Sequence, residues 1–283
     1  MNPFIREKIC FYSSPFVGRS SSFEIVKYAA KVGVGGIEFM NFSEELSTPD
    51  MKVARELGKF AKDAGLKMPC FSAGIKIAGE NKDKNLADLK KYAEICSELE
   101  IPYLHHTVYC NFLKTDMGAG FEQTFAEGVE SSLIINEYAA KLGVQTLVED
   151  QGFIFNGIEN YRRFMDATEW KIGTVLDIGN IMFYLQSAED FCDAFGENVR
   201  HVHIKDFKYA QSLTGDRGGY GTIGDKLLLN VPLGQGDVNL PAVADSLKRI
   251  NYDGFYAMEC APTDDDNEAE IFANLELTAK MFG

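Results

Sequence analysis

The sequence predicts an α/β protein folded as a single (β/α)8 barrel, and three observations predict it. Short β-branched or aromatic runs alternate with longer helical patterns from end to end. Eight such pairs can be counted, enough to close a barrel. No G-x-G-x-x-G follows the first run, as a dinucleotide-binding open sheet would require. An open doubly wound sheet alternates in the same way, so the number of pairs is what favours closure.

Taken in chain order, the expected strands are Ile9 to Ser13, Gly36 to Met40, Lys67 to Ser72, Tyr103 to Val108, Gln145 to Glu149, Gly173 to Asp177, His201 to Lys205 and Phe255 to Glu259. The helices between and after them are expected over Phe23 to Lys31, Met51 to Ala64, Asn85 to Leu99, Phe121 to Leu142, Ile158 to Ala167, Ala188 to Phe195, Leu240 to Ile250 and Glu268 to Lys280. In Ala64-Gly65-Leu66 and Leu142-Gly143-Val144 a glycine follows the helix and precedes an apolar strand entry. Glycine there relieves the left-handed position just past a helix, which marks a helix-to-strand boundary. Between the seventh strand and its helix, from Phe207 to Val238, about thirty residues carry seven glycines and little periodicity. On the strand-to-helix side of a barrel such a segment reads as a lid. The acidic run Asp264-Asp265-Asp266 reads as a cap on the last helix.

Composition bounds the rest. The 283 residues are 46% hydrophobic and 25% charged, enough for one large core, and the barrel is expected to occupy residues 1–283 as one domain. A net charge of −14, spread along the chain with no basic stripe, argues against nucleic acid, whose binding draws on clustered Lys and Arg. The first apolar run, Ile9 to Tyr12, is too short for a signal segment or a membrane span, so a cytoplasmic protein with no membrane partner is expected. Six cysteines lie scattered without a C-x-x-C pair, as reduced thiols do. Oligomeric state is left open, with a homo-oligomer compatible.

In barrels the catalytic groups project from the carboxyl ends of the strands. Glu149, Asp177, His203 and Glu259 end four consecutive strands, each after an apolar run at the same relative depth. Three carboxylates and an imidazole brought to one point would repel one another unless a cation joined them. One divalent metal ion is therefore expected. The oxygen-rich donor set suits Mn²⁺ or Mg²⁺ and tolerates Co²⁺ or Zn²⁺. His105 and His106 share the fourth strand, where alternation lets only one face the site, and His106 is the candidate for substrate contact, with Glu38 on the second strand a further candidate for the pocket. Gly234-Gln235-Gly236-Asp237 lacks the lysine of a phosphate loop and reads as turn chemistry.

Five stretches carry a resemblance: Val148-Glu149-Asp150, Leu176-Asp177-Ile178-Gly179-Asn180, His203-Ile204-Lys205-Asp206, Pro232 to Val238, and Met258-Glu259-Cys260. With them the chain resembles the sugar phosphate isomerase/epimerase family, the xylose-isomerase-like TIM barrels that include ketose 3-epimerases, hydroxypyruvate isomerases and inosose dehydratases. The likeness spans nearly the whole chain and is strongest after Gln145. It implies that Glu149, Asp177, His203 and Glu259 are metal ligands, that Glu149 and Glu259 are also the acid/base pair, and that Lys205 and Asp206 are the polar pair after the ligand histidine. Asn180 stands where family members commonly carry a substrate-site histidine. An amide can hydrogen-bond a hydroxyl but cannot serve as a proton donor in acid catalysis. Strand three, Met68 to Ser72, offers no histidine, Asn180 replaces another, and Asp216-Arg217-Gly218 offers none, so the three-zinc site of the family's DNA-repair branch cannot be built.

The function expected is a metal-dependent isomerase or epimerase of a small sugar or related hydroxy-carbonyl compound, moving a proton through a metal-stabilised enediolate. An inosose-type dehydratase is the nearest alternative, and a non-catalytic sugar-binding barrel the alternative of another class. The substrate-side residues are Asn180, Lys205, Asp206, His106 and Glu38.

Overall fold

The computed structural model describes residues 6–16, 18–211, 219–260 and 268–282. Each barrel unit is a short strand followed by a helix: β1 (Ile9–Tyr12) and α1 (Ser22–Val32), β2 (Gly36–Met40) and α2 (Met51–Asp63), β3 (Cys70–Ala73) and α3 (Lys82–Leu99), β4 (Tyr103–His106) and α4 (Phe121–Lys141). The second half adds β5 (Gln145–Glu149) and α5 (Ile158–Ala167), β6 (Gly173–Asp177) and α6 (Ala188–Phe195), then β7 (Val199–Ile204). An excursion of β8 (Phe207–Ala210), β9 (Tyr220–Gly221) and β10 (Leu227–Asn230) precedes α7 (Leu240–Arg249), β11 (Tyr256–Met258) and α8 (Glu268–Phe282). Strands β1 to β7 and β11 pair in parallel and close on one another through β1 and β11, a (β/α)8 barrel as expected.

Local chemistry sets the helix ends. Ser21 and Glu24 form a reciprocal capping box at the start of α1, and Asp50, Ser187 and Asn239 cap α2, α6 and α7 with their side-chain oxygens. Gly65 and Gly143 take φ of 80° and 75°, the left-handed values the sequence anticipates there. Between strands and helices lies one continuous apolar layer running from Ile9 to Phe282. Inside the barrel the residues alternate with that layer. Cys10, Cys70, Leu147, Val175 and Ala257 plug its amino-terminal half, and the interior positions beyond them are polar.

Three strands start elsewhere than expected, β11 by one residue, at Tyr256. β3 begins at Cys70, because Pro69 has no N–H for the ladder and only an isolated bridge joins Gly36 to Lys67. β7 begins two residues earlier, at Val199. The segment from Phe207 is less irregular than its glycines suggest: β10 pairs antiparallel with β8 and β9, and Phe207 and Leu228 pack against Phe153, Met182 and Phe183. Four-residue runs such as Leu227–Asn230 carry too short a pattern to be told from loop. Residues 212–218 and the run Asp264–Asp266 lie outside the described residues, so the cap expected of the latter does too.

Candidate metal centre and its cavity

Four strands each deliver one candidate ligand. Asp177 is level with His203 in the β6–β7 register, Glu149 is level with Val175, and His203 is level with Ala257, two residues before Glu259. The four are therefore staggered along their ladders, not at one depth. Strand tilt in a closed barrel brings such staggered positions to a common height. One donor atom from each of Glu149, Asp177, His203 and Glu259 lies within 4.8 Å of all the others.

The donor atoms are also left without hydrogen bonds. Glu149 Oε2, Asp177 Oδ2, His203 Nδ1 and Glu259 Oε2 are buried and lack a hydrogen-bond partner. Asp177 is oriented by the amides of Gly179 and Asn180, which donate to its Oδ1 at 2.9 and 3.0 Å and leave Oδ2 for the centre. His203 Nδ1 stands 3.5 Å from Glu149 Oε2 and 3.2 Å from Glu259 Oε2. Orphaned buried oxygens and one ring nitrogen converging this closely fit a divalent cation with a preference for oxygen.

Lys205, two residues beyond His203, places Nζ 2.7 Å from Asp177 Oδ2 and 3.2 Å from Glu259 Oε2, an ion pair with both carboxylates. Burial pulls the Lys205 pKa down, but Asp177, Glu259 and Glu149 outweigh it and hold it well above the usual lysine value. Burial likewise opposes charge on His203, yet Glu38 and its contacts to Glu149 and Glu259 raise its pKa well above the usual 6.5. Glu259 is raised by burial and lowered more strongly by Lys205 and His203. Three carboxylates thus face two cationic side chains.

A cavity of about 230 Å³ opens beside the centre, lined by the polar side chains of Glu259, Lys205, Asn180 and Gln151 and by the rings of Phe112, Phe183, Phe207 and Tyr220. Phe112 stacks on Phe183 with ring centroids 4.3 Å apart. A larger cavity of about 770 Å³ lies at the amino-terminal mouth, away from the four ligands, among Lys8, Lys67, Arg200 and Phe255. Barrel chemistry sits at the carboxyl face, so the smaller cavity is the relevant one.

A model of the xylose isomerase-like TIM barrels matches residues 26–281. The chain belongs to that family. Among curated protein sequences, none matches it. Solved structures similar to this xylose isomerase-like barrel include a D-psicose 3-epimerase with D-tagatose from Clostridium cellulolyticum H10, at 14% identity and a TM-score of 0.76 over 97% of this chain and 99% of that one. A probable 3-DHS dehydratase involved in petrobactin synthesis in Bacillus anthracis aligns at 18% identity and 0.72, covering 96% and 97%. A xylose isomerase-like barrel from Mycobacterium smegmatis in complex with magnesium aligns at 15% and 0.72, covering 98% of each chain. At these identities the likeness is one of fold.

In this xylose isomerase-like barrel the other expected site residues are distributed unequally. Asn180 and Lys205 line the cavity, and Asn180 Oδ1 accepts from Lys205 Nζ at 3.2 Å while its Nδ2 has no partner. Asp206 points the other way. Its carboxylate accepts from the amides of Gly234, Gly236 and Val238 at 2.9, 2.9 and 3.3 Å, pinning the return of the excursion. A Cβ on Gly236 would lie 2.0 Å from Asp206 Oδ1, so only glycine permits that approach. Burial raises the Asp206 pKa, and the three amides lower it in part.

His106 is not the histidine that faces the centre. His105 is: its Nε2 lies 3.7 Å from Glu149 Oε1 and its ring 5.4 Å from that of His203. Strand alternation then turns His106 outward, where it is fully buried, has no partner at either ring nitrogen, and is pushed by burial and His105 to a pKa of about 3. Glu38 lies on the barrel interior beneath His203 and does not line the cavity. Sequence reasoning also passed over Asp150, whose two oxygens are buried without partners and whose pKa burial, Asp177 and Glu149 raise well above the usual value. Its only signal was its place in Val148-Glu149-Asp150.

Proposed function

We propose that this chain is a divalent-metal-dependent isomerase or epimerase of a small sugar or related hydroxy-carbonyl compound. The observation that carries the reading is the convergence of two glutamates on His203 Nδ1, Glu149 Oε2 at 3.5 Å and Glu259 Oε2 at 3.2 Å. A divalent ion, when bound, supplies a Lewis acid that polarises a carbonyl and its neighbouring hydroxyl and acidifies the C–H between them. The ligands are Glu149, Asp177, His203 and Glu259, and the ion expected is Mn²⁺, Mg²⁺ or Co²⁺, with Zn²⁺ tolerated.

Proton transfer falls to the two glutamates. The Glu149 carboxylate takes or returns the proton on one side of the substrate carbon, and the Glu259 carboxylate, which lines the cavity, acts on the other. Epimerisation needs both faces, and the two carboxylates come from strands on either side of β6 and β7. The Asn180 amide and the Lys205 ammonium, both on the cavity wall, donate to substrate oxygens. The rings of Phe112, Phe183, Phe207 and Tyr220, which line the same cavity, limit water within it. A dehydratase would need a further acid for the leaving hydroxyl, and Asn180 cannot supply one.

The deciding experiment is incubation with Mn²⁺ and a panel of ketoses and ring ketones in D₂O. Deuterium at carbon with an epimer or isomer as product is expected. An enone product would move the assignment to a dehydratase, and binding without exchange to a sugar-binding barrel.

A further inference from the structure

Beneath the ligands runs a buried hydrogen-bonded chain of residues that none of the proton transfers above uses. Glu38, fully buried on β2, faces three side chains across the barrel interior. Its Oε1 lies 2.6 Å from Ser72 Oγ and 3.2 Å from His203 Nε2, and its Oε2 lies 2.7 Å from His201 Nε2. Ser72 Oγ in turn lies 2.7 Å from His105 Nδ1. A carboxylate has only lone pairs to offer, so all three partners must donate to it.

That requirement propagates. With His203 donating through Nε2, the neutral ring keeps Nδ1 bare, on the side of Glu149, Glu259 and the ligand cluster. Ser72 has one hydrogen and gives it to Glu38, so its oxygen accepts from His105, whose proton must then sit on Nδ1. The bare nitrogen of His105 is therefore Nε2, which faces Glu149 Oε1 at 3.7 Å.

We propose that Glu38 is the positioning residue of the centre: directly for His203, and through Ser72 for His105, it selects the tautomer that leaves one bare ring nitrogen facing the ligands. The half of this that concerns His203 rests on the metal reading above, and the half that concerns His105 does not. Carboxylates behind metal-binding histidines act in this way in general, and their loss costs ~10- to 100-fold in metal affinity. No contact between Glu38 and substrate is needed.

The chain has only four histidines, so long-range ¹H–¹⁵N spectra of the imidazoles can resolve each tautomer. In the Mg²⁺-loaded protein His203 is expected with hydrogen on Nε2 and His105 with hydrogen on Nδ1. Glu38→Gln, whose amide cannot accept from three donors, should disturb both patterns and raise the Mg²⁺ dissociation constant ~10- to 100-fold, with folding checked by circular dichroism. Ser72→Ala removes a single hydroxyl and should free the His105 tautomer alone, leaving metal affinity within a few-fold of the parent. The reverse tautomer at either ring in the parent protein would overturn the inference. So would unchanged tautomers and affinity in a folded Glu38→Gln protein, or, where that variant does not fold, an unchanged His105 pattern in Ser72→Ala. A parent protein that binds no divalent ion sinks the metal reading instead, and the His105 tautomer is then read in the metal-free protein.

Discussion

Lys205 holds its ammonium 2.7 Å from Asp177 Oδ2, the oxygen that the Gly179 and Asn180 amides leave free for a metal ion. Without metal, Lys205 is thus part of what balances three buried carboxylates. Replacing it with methionine keeps most of the side-chain volume and removes the charge. Breaking such a buried pair costs about 3 kcal/mol or more, which at about 2–4 °C per kcal/mol lowers the melting temperature of the metal-free protein by roughly 6–12 °C. Saturating Mn²⁺ should recover much of that loss, because a divalent ion binds the folded centre and replaces the missing charge. Thermal melts with and without metal check it; a deficit that metal leaves untouched would show that Lys205 serves packing alone.

Metal affinity should depend on pH through His203. Its pKa in the metal-free fold lies well above 6.5, so the stability it contributes there is fully present below about pH 6.5 and is lost as pH rises through the raised value. Ligation needs Nδ1 bare, so metal binding expels that proton and strengthens as pH rises across the same window, by about tenfold per pH unit for one proton. Calorimetric titrations with Mn²⁺ near about pH 6 and about pH 8, in buffers of different ionisation heat, should report about one proton released per ion at the lower pH. Affinity that is flat across the window would remove His203 from the ligand set.

Glu149→Gln and Glu259→Gln separate ligation from proton transfer. Each amide keeps a carbonyl oxygen for the metal and loses the base, so weakened but measurable Mn²⁺ binding is expected with turnover reduced at least ~10²- to 10⁴-fold. One variant, given one epimer, should still exchange the substrate C–H with D₂O from the remaining face without completing the stereochemical change. Near-parental turnover in either would refute the two-base mechanism.

Asp206 tests the anchoring of the excursion. Asp206→Ala strips three amides of their acceptor, and leaving buried donors unpaired costs about 1–3 kcal/mol each where water cannot reach them. A loss of at least about 2 kcal/mol in urea unfolding is expected, with Mn²⁺ affinity within a few-fold of the parent, since Asp206 points away from the ligands. A large loss of metal affinity at unchanged stability would instead place Asp206 with the site.

The sequence by itself determined the barrel and singled out the four candidate ligands. Eight apolar runs alternating with helical patterns leave few other ways to bury both kinds of surface, and a polar residue closing an apolar strand is visible in one dimension as Glu149, Asp177, His203 and Glu259. The short strands after Phe207 escaped because four-residue runs such as Leu227–Asn230 acquire their pattern only from antiparallel partners. Tertiary structure alone decided which way the paired polar residues face. His105 or His106, and Lys205 or Asp206, are adjacent in sequence, and which of each pair faces the centre is set by the packing of Ser72 and Glu149, from the two flanking strands, on His105 and by the amides of Gly234 and Gly236 that claim Asp206. Glu38 likewise reads only as a carboxylate within a strand until β2, β3 and β7 close around it. Its partners are 34, 163 and 165 residues away along the chain, and no local pattern records a hydrogen bond made across the inside of a barrel.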